Sequence, residues 1–351
     1  VTADTLAPLD AVRLTVTAGR RRRAVRRRVL CGLLALAVLA LFAASLMVGD
    51  TVYTPSEVLR TILGETVPGA SFTVGELRLP RASMGALTGI AFGVAGVAFQ
   101  TMLRNPLASP DVIGISSGAS AAAVVGVVLL ELDEATVSVL AIAAALATAL
   151  VIALLSYRGG IVGTRLILIG IGVSAMLDSV VSYVLLHAAS WDLQTAMRWL
   201  SGSLNGATWE QTLPLALAML VLGPVLLARE HDLGLLQLGD DAAAGLGVRV
   251  ERTRVVVIVA AVALIAFATA ASGPIAFVAF LSGPIAARLV GAGGSLMVPS
   301  ALVGAILVLG ADLVGQFGFG GRYPVGVVTG VLGAPYLVLL LIRNNRAGGS
   351  L

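Results

Sequence analysis

RLPRASMGALTGIAFGVAGVAFQTMLRNPLA, Arg78–Ala108, sets two arginines three residues apart around a proline, then runs from Ala82 to Leu103 without an ionisable side chain. A stretch that long and that apolar crosses the hydrocarbon core of a bilayer as a helix, since about 20 residues at 1.5 Å each cover about 30 Å. The rest of the chain repeats this pattern. Hydrophobic residues make up 58% of the 351 and charged residues 12%. Mean hydropathy is +0.99, so the fold class is an all-α polytopic membrane protein.

Apolar runs place ten spans at about 29–48, 82–103, 112–130, 135–156, 166–187, 211–228, 255–271, 274–290, 296–316 and 325–342. If GRRRRAVRRR (Gly19–Arg28) is cytoplasmic, the alternating loops put 18 arginines inside and five outside, accounting for all 23. One missed span would invert every later loop, so this asymmetry supports both the count and the orientation. Both termini are then cytoplasmic. The chain divides into an Arg-rich segment, 1–28, a single membrane domain, 29–343, and a short cytoplasmic tail, 344–351. The basic segment reads as a topology determinant that touches anionic membrane lipid, and not as a nucleic-acid site. The apolar run after Arg28 lacks a cleavage pattern and is expected to stay as the first span.

Several chemistries are excluded by what the chain lacks. It has no lysine, hence no GxxxxGK phosphate loop and no lysine Schiff base, so ATP chemistry must come from another chain. His187, His231 and Cys31 are the full complement of histidine and cysteine, too few for a His/Cys metal site. No cofactor, metal or catalytic residue is expected; a carboxylate-only metal site stays open but has no supporting cluster. Ionisable residues inside spans mark ion relays, and the carboxylates there are Asp178 and Asp312 alone, with Asp312 near an outer end. Gly85, Gly89 and Gly93 recur every fourth residue along the second span, a small-residue stripe suited to close helix packing.

Between the sixth and seventh spans lies REHDLGLLQLGDDAAAGLGVRVERTR, Arg229–Arg254. It is too polar to cross a membrane, yet it carries a helix signal at LGDDAAAGLGV: Asp240 and Asp241 favour a helix N-terminus and Gly247 can end the helix. Such a helix on the cytoplasmic face could dock into another protein.

Arg78–Ser120, with its RNPLA, resembles the FecCD-type permeases of ATP-binding-cassette importers, which carry iron-siderophore complexes, haem or cobalamin. Further resemblances lie at TRLILIGIGVSAM (Thr164–Met176), RWLSGSLNGATW (Arg198–Trp209), the GDDAAAGLGV loop, SGPIAFVAFLSGPIAARLVG (Ser272–Gly291) and YPVGVVTGVLGAPYLVLLL (Tyr323–Leu341). They run in unbroken order over about residues 50–343.

The resemblance implies a type II importer architecture: two ten-span permeases side by side, two cytoplasmic ATPase subunits below and an extracytoplasmic substrate-binding protein above. The second permease would be a paralogue, giving a heterodimer, with a homodimer as the alternative. The cargo implied is an iron-siderophore complex, with cobalamin or haem as alternatives. A secondary transporter is the rival from another class. The family's coupling helix falls on about Leu238–Val248, which makes Asp240, Asp241, Ala244, Gly245 and Leu246 the expected ATPase contacts. The gate loop falls on IVGTR, putting Val162, Gly163 and Thr164 at the cytoplasmic end of the path, with Gly170 and Gly172 continuing its wall. The cobalamin importer's docking arginines match Arg78 and Arg81, expected to stand outward as sockets for acidic residues of the binding protein, with Arg322 as a weaker third. Asn105 and Pro106 are expected to break the chain after the second span.

Overall fold

A computed structural model of the chain describes residues 9–110, 114–157, 163–291 and 293–347. In chain order the helices are α1 (Leu9–Met47), α2 (Pro55–Ile62), α3 (Leu79–Met102), α4 (Ile115–Val128), α5 (Glu134–Ser156), α6 (Gly163–Leu186) and α7 (Ser190–Leu200). There follow α8 (Trp209–Ala228), α9 (Glu230–Leu236), α10 (Asp240–Gly245), α11 (Val250–Ser272), α12 (Val278–Val290), α13 (Met297–Phe317) and α14 (Val325–Ala347). A π-helical segment, Ser71–Arg78, runs directly into α3.

Each of the ten expected spans has a helix. Among the described residues seven helices are long and apolar enough to cross a membrane, and α4, α12 and the apolar part of α14 are shorter. The spans read at about 112–130 and 274–290 are therefore too long. Glycines in the left-handed region interrupt them: Gly114 precedes α4 with φ 89° and Gly273 follows α11 with φ 70°. Phe277, a non-glycine at φ 65°, begins α12. With 14 and 13 residues, α4 and α12 are about 20 Å long, roughly 10 Å short of the hydrocarbon core. The irregular chain beside them thus lies at membrane depth, which is tolerated where protein buries it or a cavity runs past it.

The bundle is organised around α3, which packs on α8, α11, α12 and α13; 78% of its apolar window is buried. The glycine stripe is the reason it fits. A Cβ on Gly89 would meet the backbone of Gly304 and Ala305 on α13, and one on Gly93 the backbone of Ser300. One turn on, Gly96 faces the backbone of Ala279 on α12. In a membrane, where apolar side chains gain nothing by leaving lipid, such backbone approach supplies the packing attraction between helices. Toward the C-terminal end of α3, Gln100 is buried and its Nε2 donates to the carbonyl of Phe280 (3.0 Å). Pro284 lies four residues beyond Phe280 and has no N–H to offer that carbonyl, so Gln100 replaces the bond the proline removes. Asn105 then turns the chain as expected: its Oδ1 accepts from the Leu107 N–H (2.9 Å), closing a turn across Pro106.

Pro80 does not begin a helix. The helix continues back through it to Ser71, and the Leu79 N–H bonds to the carbonyl of Val74, five residues earlier. This wider turn gives the chain a way past a residue that cannot donate.

Candidate functional site

At the end of the bundle read as extracytoplasmic, the two arginines of the opening stretch turn inward, contrary to the expectation of outward sockets. Arg78 donates through Nη1 to the carbonyls of Leu46 and Met47 (3.0 Å each) and through Nη2 to Thr51 O (2.6 Å). It therefore neutralises the open carbonyls at the C-terminus of α1, where a cation is favoured, and its guanidinium lies 5.1 Å from the centroid of the Tyr53 ring. Arg81 forms a two-pronged pair with Asp312 of α13: Nε to Oδ2 at 2.9 Å and Nη2 to Oδ1 at 2.7 Å. Its Nη1 donates to Asn205 Oδ1 (2.7 Å), and Gln316 donates to Asp312 Oδ2 (2.7 Å). The Asp312 side chain is 4% exposed and that of Arg81 19%. Both arginines turn inward because acceptors are within reach, the buried Asp312 carboxylate above all, and desolvated charge must be paired. Arg322 differs: it pairs with Asp50 at 2.6 Å, but both side chains are well exposed, so the pair exchanges readily with water or another partner.

A cavity of about 600 Å³ is walled by Ser109, Ser116, Ser117 and Ser120 together with Phe277 and Phe280. It lies between the two shortened helices, bounded by the loop before α4 and the break before α12. Irregular backbone at membrane depth is where transporters place their cargo. The sequence reading passed over these residues, although ISSGAS (Ile115–Ser120) puts three hydroxyls into an otherwise apolar stretch. Across from them, Ser117 Oγ meets Ser174 Oγ of α6 at 3.2 Å. Gly170 is buried, and its carbonyl would lie 3.2 Å from a Cβ on Gly114, so it serves the α4–α6 contact. Gly172 is exposed with nothing around it, as a wall position would be. Gly163 and Thr164 open α6; Val162 lies outside the described residues.

At the opposite end, α10 is shorter than the expected helix over Leu238–Val248, and α9 precedes it. Its end is a closed cap: Gly247 takes φ 90°, its N–H bonds to Ala244 O (2.9 Å) and the Val248 N–H to Ala243 O (3.0 Å), satisfying the last carbonyls. Ala243 and Val248 are buried beneath it. Asp241, Ala244, Gly245 and Leu246 are exposed. Asp240 is occupied within the chain. Arg254 of α11 donates to both its oxygens (2.9 and 2.8 Å), and Arg104, just past α3, lies 3.4 Å away. The Arg-rich part of α1 reaches this same end, for Arg27 stands where a Cβ on Gly294 would be. Among the described residues no group of three His, Cys, Asp or Glu side chains could hold a metal ion.

Residues 36–343 match the FecCD transport family. The chain belongs to that family. It is 41% identical over 327 residues, 92% of this chain and 98% of the relative, to the ferric enterobactin transport system permease protein FepG of Escherichia coli (strain K12). It is 40% identical over 315 residues, 89% of this chain and 90% of the relative, to the achromobactin transport system permease protein CbrC of Dickeya dadantii (strain 3937). Its fold is that of a solved metal-chelate type ABC transporter in an inward-facing conformation, with a TM-score of 0.80 and 27% identity over 90% of this chain and 99% of that one. The chain is thus a FecCD permease, a multi-pass membrane component of a bacterial transport system.

Proposed function

We propose that the chain is one permease half of an ATP-binding-cassette importer that carries a ferric siderophore complex inward, beside a paralogous permease, above two ATPase subunits and below a binding protein. The observation that carries this reading is its likeness to FepG along nearly the full length of both chains. The heterodimer is supported by a second relative, the ferric enterobactin permease FepD of the same organism, 35% identical over 322 residues. Both termini and α10 face the cytoplasm, as the arginine asymmetry favours. Asp241, Ala244, Gly245 and Leu246 meet the ATPase, and Asp240 holds the helix that presents them. The path runs past Val162, Gly163, Thr164 and Gly172 along α6, with Gly170 in the packing behind it. The binding protein docks on the outer face, where Arg322 is the most exposed of the three candidate arginines and Arg78 and Arg81 stand behind it.

The test is uptake of radiolabelled ferric chelate by proteoliposomes holding the permease pair and ATPase, with ATP enclosed and the binding protein outside. Transport that needs all four components supports the reading. Transport without ATPase or ATP overturns it, and uptake of cobalamin or haem in place of the ferric chelate overturns the cargo.

A further inference from the structure

Helix α6 leaves most of its surface uncovered, with 11% of its apolar window buried. The open side mixes apolar residues (Ile171, Met176, Val180, Leu186) with Gly172, Asp178, Ser179 and Ser182. The two serines can be spared water, because each hydroxyl donates to a carbonyl of its own helix: Ser179 to Ala175 O and Ser182 to Asp178 O, both at 2.8 Å. Asp178 has no such relief. It is exposed, and its carboxylate makes no hydrogen bond or ion pair among the described residues. It lies 15 residues into α6, about 22 Å from the start, well inside the hydrocarbon region. A charge there faces water or other protein, since lipid would cost about 2.5–3.5 kcal/mol even on the mildest scale.

The neighbouring turn favours water. Ser174, four residues earlier and hence on the same side of the helix, meets Ser117 at 3.2 Å, and Ser117 walls the 600 Å³ cavity. Asp178 is therefore one turn beyond the wall of that cavity. No cation offsets it on its own helix: Arg165 is 13 residues back, about 20 Å, and His187 nine residues on, about 13 Å, both beyond a Debye length at physiological salt. Within the cavity wall named above the polar groups are hydroxyls, so the carboxylate is the dominant charge along this stretch.

We infer that Asp178 lines the water-filled route continuing from the serine-walled cavity and acts there as a charge filter, easing passage of neutral or cationic ferric chelates and slowing anionic ones. The inference rests on the proposed path along α6. Asp178 is a specificity-determining residue in this reading, not one that binds iron.

Two measurements on the assembled transporter test it, in a Cys31→Ser background that retains uptake. In the first, Gly172→Cys and Asp178→Cys are exposed to a charged, membrane-impermeant methanethiosulfonate. Both should react. If neither does, the path along α6 fails; if Gly172→Cys reacts and Asp178→Cys does not, the path stands and the filter fails. In the second, uptake of a ferric tris-hydroxamate bearing a pendant amine is compared with uptake of the same chelate after succinylation of that amine. A charge about 8 Å away in water changes passage roughly two- to threefold per unit, so Asp178→Asn should shift the preference about fivefold toward the succinylated chelate, Asp178→Lys further, and Asp178→Glu little. Equal loss of both chelates in the Asn and Lys variants would show that Asp178 serves packing or a partner contact, and would overturn the filter.

Discussion

Replacing Asp312 with alanine removes the counter-charge of Arg81 and leaves the guanidinium in a site built for a pair. Both lone pairs that Arg81 uses, and the one Gln316 uses, disappear together. Breaking a buried pair from one side costs about 3–5 kcal/mol. Arg81 keeps a fifth of its surface toward water and its bond to Asn205, which places the expected loss near the lower bound, about 3 kcal/mol, or more than a hundredfold in the folded-to-unfolded ratio. The measurement is chemical unfolding of the purified protein in detergent, followed by tryptophan fluorescence. Replacing both partners by apolar residues, Arg81→Met with Asp312→Leu, should recover most of that loss, because no charge is then left buried. A cost below about 1 kcal/mol for the single variant, or a double variant as unstable as the sum of the singles, would refute the paired site. The double variant also isolates docking: if it folds and still couples to the binding protein, Arg81 is an internal strut and contributes nothing to the partner.

Gln100→Leu should leave the Phe280 carbonyl, already without its helical partner at Pro284, unsatisfied in the core, and cost about 1–3 kcal/mol in the same unfolding assay. Gly89→Val should force α3 and α13 apart at a backbone contact and destabilise by about 1–3 kcal/mol or more, whereas the same substitution at Gly310, which has open space around it, should be tolerated; equal effects would show that the stripe does not set the helix approach. Asp240→Asn should keep the complex assembled and ATP hydrolysis running while raising the ATP consumed per chelate delivered, because α10 loses its ionic hold on Arg254 and Arg104; an unchanged ratio would mean the helix is held by other contacts.

The spans were legible because in lipid the backbone must satisfy itself, so an apolar run of sufficient length has one solution. Length is also where the reading went wrong. Apolar composition runs on through Gly114 and through Gly273–Phe277, but hydropathy carries no information on φ, and the left-handed residues at those points cut α4 and α12 short. The glycine stripe and the Asn105–Pro106 turn were read correctly because each depends on local chemistry. Arg78, Arg81 and Asp240 depend on partners 32, 231 and 14 residues away, separations over which a charge pattern alone names no partner. Spacing showed that these charges needed a reason, and the fold supplied a different one for each.

Those partners bear on how the bundle can move. α3 is joined at one end to α13 through Arg81 and Asp312, and just past its other end Arg104 meets the carboxylate that also binds Arg254 at the start of α11. Between these joints its glycines rest on the backbone of α12 and α13, leaving no side-chain layer to yield. Tightly packed contacts of this kind shift as units and do not deform gradually. A displacement of α10 therefore has a rigid route into α3 and from there toward the end that carries Arg81, and the soft elements must lie elsewhere: at the breaks beside α4 and α12, which border the cavity, and along the loosely covered α6.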